Sequence, residues 1–202
     1  MTDSPPTFQP PSPPRSKADW VALLNEYGVG AFNAARRETG YGELDLSGVS
    51  FALMDLSGIN LSNADISNCD FAHAFLVEAS LILADSHNAD FTEASLCLAK
   101  AEEADFTGST FTLAVLQGAS LAEANFTKVV AKEANFTDAD LTDAVFSEAQ
   151  LNDANFTGAT LTNTGFKNAQ TEWAIGLEHL NPEAHHELVT ETLQIDTSVV
   201  AE

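Results

Sequence analysis

The sequence predicts an all-β solenoid in which short extended segments stack in coils along one axis. Three observations predict it: an apolar residue recurs at every fifth position from Leu46 onward, a small residue lies two positions before it, and Phe residues recur twenty positions apart. A five-residue period fits neither an α-helix nor a continuous strand. Two inward positions in every five instead indicate a short extended side followed by a corner. The chain must therefore coil and bury its core by stacking.

The central apolar position defines the frame of the solenoid, which begins at Leu46 and keeps its spacing as far as Phe166. Alanine dominates the position two before the centre, Asp, Asn or Ser the position just before it, and Ser or Thr the position after it. Ser86, Ala101 and Ala131 are undersized centres. Either a water or a small ligand occupies the space beside them, or neighbouring Phe rings fill it.

The phenylalanine spacing predicts the number of sides in a coil. Seven pairs of central Phe residues are twenty positions apart, two pairs are fifteen apart, and four pairs in the last coils are ten apart. Because identical aromatic rings stack well in ladders, four sides of five residues is the best interpretation. The twenty-six centres from 46 to 171 then form about 6.5 coils, a rod about 31 Å tall at the usual strand spacing.

This pattern resembles that of the pentapeptide-repeat family, whose motif is Ala, then Asp or Asn, then Leu or Phe, then two variable residues. Here the motif reads Ala64-Asp65-Ile66, Ala89-Asp90-Phe91 and Ala124-Asn125-Phe126, among other copies. The resemblance covers about two thirds of the chain and implies a right-handed quadrilateral β-helix. It says little about activity, because the repeating residues are structural.

The prolines, the helical periodicity and the repeats divide the chain into four parts. They are a disordered Pro-rich arm at 1–15, an N-terminal helical cap at 16–43, the repeats at 44–177, and a C-terminal helix with an acidic tail at 178–202. Ser16 and Asp19 are predicted to form a capping box, and Gly28 to separate a first helix from a second that ends near Gly40. These helices are expected to cover the open edges of the coils.

The charge and composition exclude several classes of function. Thirty acidic and eight basic residues give a net charge of −22. This argues against direct binding of nucleic acid, which needs Lys and Arg to displace counterions, and against binding an anionic membrane. We expect no transmembrane helix and no secretory signal. Only two Cys residues are present, which predicts a reducing compartment, with the bacterial cytoplasm as the default.

No catalytic, cofactor-binding or metal-binding group of residues is predicted. There is no nucleophile elbow, phosphate-binding loop or zinc motif. Cys69 is expected to point into the core, and Cys97 outward without a cation to activate it. His185 and His186 are adjacent on the predicted C-terminal helix, so they point to different faces and are interpreted as surface residues rather than metal ligands.

Two outward surfaces are candidate binding sites. The first, the acidic column, stacks four residues twenty positions apart: Asp45, Asp65, Asp85 and Asp105. A cation or a basic partner would relieve their repulsion, and the alternative is that solvent tolerates Asp at this position. The second, the apolar patch, consists of Phe75, Val77, Ile82, Leu83 and Leu98, with Val115 nearby. It predicts either an interface or a surface covered by a terminal helix.

The sequence thus predicts a non-catalytic acidic rod that binds a protein partner. A second copy of the chain is another candidate partner, through an end cap or through the apolar patch. The alternative function is DNA mimicry, because some members of the family resemble B-DNA in size and charge and bind type II topoisomerases. Residues 44–177 hold 19 acidic and 4 basic residues, a net of −15, while about 31 Å of duplex DNA carries roughly 18 charges.

Overall fold

A computed structural model of the chain describes Pro14 and residues 16–177. The rest of the predicted arm, and the predicted C-terminal helix and tail at 178–202, lie outside these residues. In chain order the elements are helix α1 (Lys17–Glu38), strand β1 (Leu44–Asp45) and strand β2 (Ala64–Asp65). Strands β1 and β2 pair in parallel, and single bridges and turns continue the pattern to the last coil.

Helix α1 begins and bends where the sequence predicts. The capping box is present, since the N–H of Asp19 donates to Ser16 Oγ at 3.2 Å and the N–H of Ser16 donates to Asp19 Oδ2 at 3.0 Å. Gly28 has a φ of 75° and a ψ of −176°, so the two predicted helices form one element with a kink. The chain leaves the helix through Gly40, whose φ is 68°. No helix among the described residues is long and apolar enough to span a bilayer.

Helix α1 lies on the first coil of the repeats. Its side chains Trp20, Leu23, Leu24 and Phe32 are buried in the same cluster as the repeat centres. Several polar contacts join it to backbone groups of the coil. Among them, Asn33 Oδ1 accepts from the N–H of Asn60 at 2.8 Å, Lys17 Nζ donates to the carbonyl of Ser47 at 2.7 Å, and Arg36 donates to the carbonyl of Ser62. In later coils the equivalent backbone groups bond to a neighbouring coil.

Successive coils are joined by a parallel hydrogen-bond ladder with a period of twenty residues. Bridges run from Ser50 with Asp70 through to Asn155 with Ile175, always between residues twenty apart. In each pentapeptide the N–H three residues past the centre donates to the carbonyl of the centre, which closes a turn. Twenty residues contain four such bridges and four turns. Each coil therefore has four sides, with the centres and the small residues facing inward.

Every corner of the rod is made by a left-handed residue two positions past the centre. The twenty-six corner residues from 48 to 173 have φ between 55° and 73°, and only five of them are Gly. None is Val, Ile or Thr. Positive φ is least tolerated by β-branched side chains, so the corners restrict the sequence at every fifth residue.

We expect a β-branched residue at a corner to destabilise the rod. Glu123 is an exposed corner residue with φ of 60°. Glu123→Val should lower the free energy of unfolding by about 1–2 kcal/mol, measured by urea denaturation, because the branched side chain collides with its own backbone at that φ. Glu123→Asn is the matched control, since Asn tolerates the left-handed region. Equal unfolding midpoints for the two variants would contradict this account of the corners.

Stacked phenylalanine rings fill much of the core. The seven Phe pairs at spacing twenty stack with ring centroids 4.6–5.3 Å apart, which confirms the prediction from their spacing. The six pairs at spacing ten or fifteen meet edge to face at 5.6–5.9 Å. Sequence spacing thus determines whether two rings stack along the rod or meet across a coil.

Two of the undersized centres differ in how the core accommodates them. Phe126 and Phe136, which flank Ala131 in the sequence, contact each other edge to face at 5.9 Å. Ser86 is fully buried, and its Oγ has no hydrogen-bond partner among the described residues. A buried unpaired hydroxyl costs about 1–3 kcal/mol. A water in the space beside Ser86, one of the alternatives for the undersized centres, would remove this cost.

Candidate protein-binding surfaces

The acidic column is a straight line of carboxylates along one side of the rod. Parallel pairing places Asp45 opposite Asp65, then Asp85 and Asp105, with Asn125 next. Successive backbones are about 4.8 Å apart, the usual strand spacing. Within residues 16–177, no group of three or more His, Cys, Asp and Glu is arranged to hold a metal ion.

Each Asp of the column accepts hydrogen bonds from the residue two positions further along the chain. The N–H of Thr107 donates to Asp105 Oδ1 at 2.9 Å, and Thr107 Oγ1 donates to the same oxygen at 2.6 Å. Asp45 accepts from the N–H and Oγ of Ser47 at 2.9 and 2.7 Å. This arrangement is an Asx turn, and it explains why Asp or Asn precedes the centre and Ser or Thr follows it. The column thus has a structural role that the sequence pattern alone did not reveal.

Two basic side chains contact the column. Lys17 Nζ lies 2.8 Å from Asp45 Oδ1, and His87 Nδ1 lies 2.5 Å from Asp85 Oδ1. The hydrogen bond from Lys17 is the largest cause that lowers the pKa of Asp45 to about 2. The hydrogen bond to Asp85 raises the pKa of His87 above its usual value. Local donors and cations therefore offset part of the repulsion within the column.

The Asx turns can be tested at Asp105. Asp105→Ala should lower the free energy of unfolding by about 1 kcal/mol, because the N–H and hydroxyl of Thr107 lose their acceptor. Asp105→Asn keeps an acceptor oxygen and removes one charge from the column, so its stability should equal or exceed that of the unmodified chain. Thermal melts of both variants provide the comparison. If Ala and Asn give the same midpoint, the turn does not explain the residue.

The apolar patch is accessible on the described part of the rod. Phe75 and Leu98 are each 54% exposed and Leu83 is 49% exposed, while Val77 and Ile82 are partly buried. Helix α1 contacts the first coil and leaves these side chains uncovered. The predicted C-terminal helix, the other candidate cover, lies outside the described residues.

The exposed apolar surface extends further than the sequence pattern predicts. Leu113, one coil above and beside the patch, is 44% exposed. Leu83, Leu98 and Leu113 are all corner residues, so the five-residue frame contained the signal that would have found Leu113. A Cβ at Gly118 would lie 2.9 Å from Leu98 Cδ2. The glycine therefore makes room for the leucine, which packs along the rod and is held in place.

The side of the rod that carries Phe75 has the fewest charged residues. This Phe75 side comprises residues 54–58 and their equivalents at twenty-residue steps. It carries three acidic residues, Asp55, Glu78 and Asp138, and no Lys or Arg. The other three sides carry the remaining sixteen of the nineteen acidic residues in 44–177. Charge and exposed apolar surface are thus unequally distributed among the sides.

The cysteines are placed as expected for non-catalytic residues. Cys69 is buried and its Sγ donates to the carbonyl of Leu46 at 3.1 Å. Burial raises the pKa of this thiol to about 11, which makes it a poor nucleophile. Cys97 is partly exposed and accepts from Ser95 Oγ at 3.6 Å. The histidine pair His185–His186 lies outside the described residues.

Comparison with protein families gives one assignment. A family model described as pentapeptide repeats matches residues 45–82, 84–112, 111–147 and 139–170, in eight copies. These stretches cover more than half of the chain and lie entirely within the repeats. A search of curated proteins gives no match.

Several solved structures are similar to the chain at low sequence identity. QnrB1, a plasmid-mediated fluoroquinolone resistance protein, is 19% identical over 65% of this chain and 81% of its own, with a TM-score of 0.31. HetL, involved in heterocyst differentiation regulation in the cyanobacterium Nostoc, is 22% identical over 69% of this chain and 94% of its own, with a TM-score of 0.27. A protein from the thylakoid lumen of Arabidopsis thaliana is 28% identical over 58% and 65%, with a TM-score of 0.19. At these TM-scores the similarity supports no argument about function.

Proposed function

The chain belongs to the pentapeptide-repeat family, and from that premise we propose that it is a non-catalytic protein–protein interaction module. The observation that carries the proposal is the apolar patch, where Phe75, Leu83 and Leu98 are about half exposed on a strongly acidic protein. Exposed apolar side chains grouped on neighbouring sides of a rod typically mark a contact site. We infer that the module acts in the cytoplasm, as the scarcity of cysteine predicts.

The rod suits this role because its surface is rigid before a partner arrives. Every side chain of the patch is attached to backbone that is hydrogen-bonded to coils above and below. Association therefore orders few backbone groups, and less of the binding free energy is lost to conformational entropy. A stiff, preformed surface therefore retains more of the binding free energy than a flexible one.

The proposal includes the right-handed quadrilateral form of the β-helix that the family resemblance implies, with α1 as the N-terminal cap. Support for the cap comes from Asn33, Lys17 and Arg36, which bond backbone groups of the first coil. Arg36 is almost fully buried there, and burial lowers the pKa of its guanidinium. A covered end prevents the first coil from pairing with the edge of another chain.

Affinity capture from a lysate of the native host tests the interaction module. The immobilised chain should retain a defined protein, and Phe75→Asp with Ile82→Asp should lose it, because two buried charges at the contact are costly. Bound proteins are identified and quantified by mass spectrometry. Val145→Asp is the matched control, since Val145 is 39% exposed and lies on the side of the rod opposite Phe75.

Thermal melts and light scattering must first show that the double variant is folded and has the same mass as the unmodified chain. Retention of the same protein by the double variant would exclude the patch as the contact surface. Capture of no protein by any variant, at low or high salt, would refute the interaction module itself.

DNA mimicry is the second candidate, favoured by the regular spacing of the acidic column. Asp65, Asp85 and Asp105 lie in register one coil apart, and residues 44–177 carry a net charge of −15. Over about 31 Å, this charge is comparable with the roughly 18 charges of duplex DNA. A basic DNA-binding groove of a type II topoisomerase is the partner that such a column fits.

Gyrase supercoiling assays test the mimic. The unmodified chain should inhibit supercoiling, less so at high salt because screening weakens the attraction. Asp65→Asn, Asp85→Asn and Asp105→Asn together should inhibit much less while keeping the fold, because Asn occupies the same position at Asn125 and accepts the same bond. Supercoiling that is unaffected by micromolar protein at low salt would exclude gyrase as the target.

A further inference from the structure

Residues twenty positions apart form a column along the rod. In the columns that cross the apolar patch, apolar and acidic residues are neighbours. Because the ladder pairs residues twenty apart, five apolar side chains each lie one coil from an acidic residue in the same column: Phe75 with Asp55, Leu98 with Glu78, Leu113 with Glu93, Ile82 with Glu102, and Leu83 with Glu103. The patch is therefore a mosaic of apolar and acidic groups rather than an apolar area with a distant charged rim.

The acids of this mosaic are poorly neutralised. None of the four ion pairs within residues 16–177 includes Glu78, Glu102 or Glu103. Glu93 Oε2 lies 3.3 Å from His73 Nδ1. Glu102 Oε2 is shielded from solvent and has no hydrogen-bond partner among the described residues. A carboxylate oxygen without a donor is costly, and a cation that contacts the accessible part of the Glu102 side chain would reduce that cost.

We propose that the apolar patch binds an amphipathic protein segment whose apolar side chains are interspersed with Lys or Arg. This inference rests on the proposed interaction module and names the chemistry of its partner. The apolar side chains of the segment cover Phe75, Leu98 and Leu113, while its cations pair with the adjacent carboxylates. Contacts with a desolvated apolar centre and charged groups around it are typical of specific protein interfaces.

The same mosaic argues against a second copy of the chain at this surface. Two patches packed face to face would bring two sets of carboxylates together, and like charges that face each other across an interface oppose association. A partner that carries positive charge alone is also a poor fit, because it would leave Phe75 and Leu98 exposed. Only a surface with both kinds of group satisfies both parts of the mosaic.

Binding of a synthetic peptide tests the inference. The probe is a short, dye-labelled amphipathic helix composed of Leu and Lys, titrated with the full chain and followed by fluorescence anisotropy. Phe75→Ser with Leu98→Ser should weaken binding about tenfold, and Val145→Ser, on the opposite side of the rod, should leave it unchanged. The affinity should fall at high salt without disappearing, since the apolar contacts are not screened. A matching peptide of Leu and Glu should not bind.

The acidic half of the mosaic needs its own variants. Glu78→Gln with Glu102→Gln should weaken binding of the Leu–Lys peptide about tenfold at low salt, with a smaller effect at high salt. Asp140→Asn, an exposed acid in a column that contains no residue of the mosaic, is the control and should have little effect. Thermal melts of all variants establish that each remains folded.

Several results would overturn the inference. Binding that survives Phe75→Ser with Leu98→Ser, or that falls equally with Asp140→Asn, would mean that the peptide recognises only a polyanion. A concentration-dependent dimer in sedimentation, abolished by Phe75→Ser, would assign the patch to a second copy. If a host protein is still captured by the Ser double variant, the interaction module stands and this assignment of its partner's chemistry fails.

Discussion

The hydrogen-bond ladder between coils is the constraint on which the rest of the structure depends. Because it pairs residues twenty apart without exception from Ser50 to Ile175, it fixes which side chains stack. The same register aligns the Phe rings in the core, the carboxylates of the acidic column and the neighbours of the apolar patch. The backbone register therefore determines both which side chains stack in the core and which lie together on the outer surface.

The left-handed corners show how this constraint is met at some cost. Twenty-one of the twenty-six corners are not Gly, although a side chain at positive φ is disfavoured. Asx turns beside the corners and the ladder bonds compensate for this cost locally. The corner also projects its side chain from an edge of the rod, which is why Leu83, Leu98 and Leu113 are accessible. The backbone geometry of the corners thus determines which apolar side chains are available for binding.

The sequence predicted the repeat frame, the inward residues and the ring pairs, because a strict period converts directly into neighbours in space. It also predicted the capping box of Ser16 and Asp19 and the break at Gly28, which depend on local residue types. It did not predict the exposure of Leu113 or the unpaired hydroxyl of Ser86, because both depend on packing between coils. The role of Asp105 in a turn was missed for a different reason: the motif shows which residue recurs but not what it accepts.

The twenty-residue register also limits how such a chain can change in length. Insertion of one pentapeptide adds a single side, so every residue downstream is rotated by a quarter turn relative to those upstream. The aligned Asp residues would be broken into two lines on different sides, and Phe75 and Leu98 would no longer share a side if the insertion fell between them. Gain or loss of a complete coil leaves all columns continuous. A change in length by whole coils therefore preserves the binding surface. An insertion of one, two or three pentapeptides disrupts that surface, although it also keeps the core motif intact.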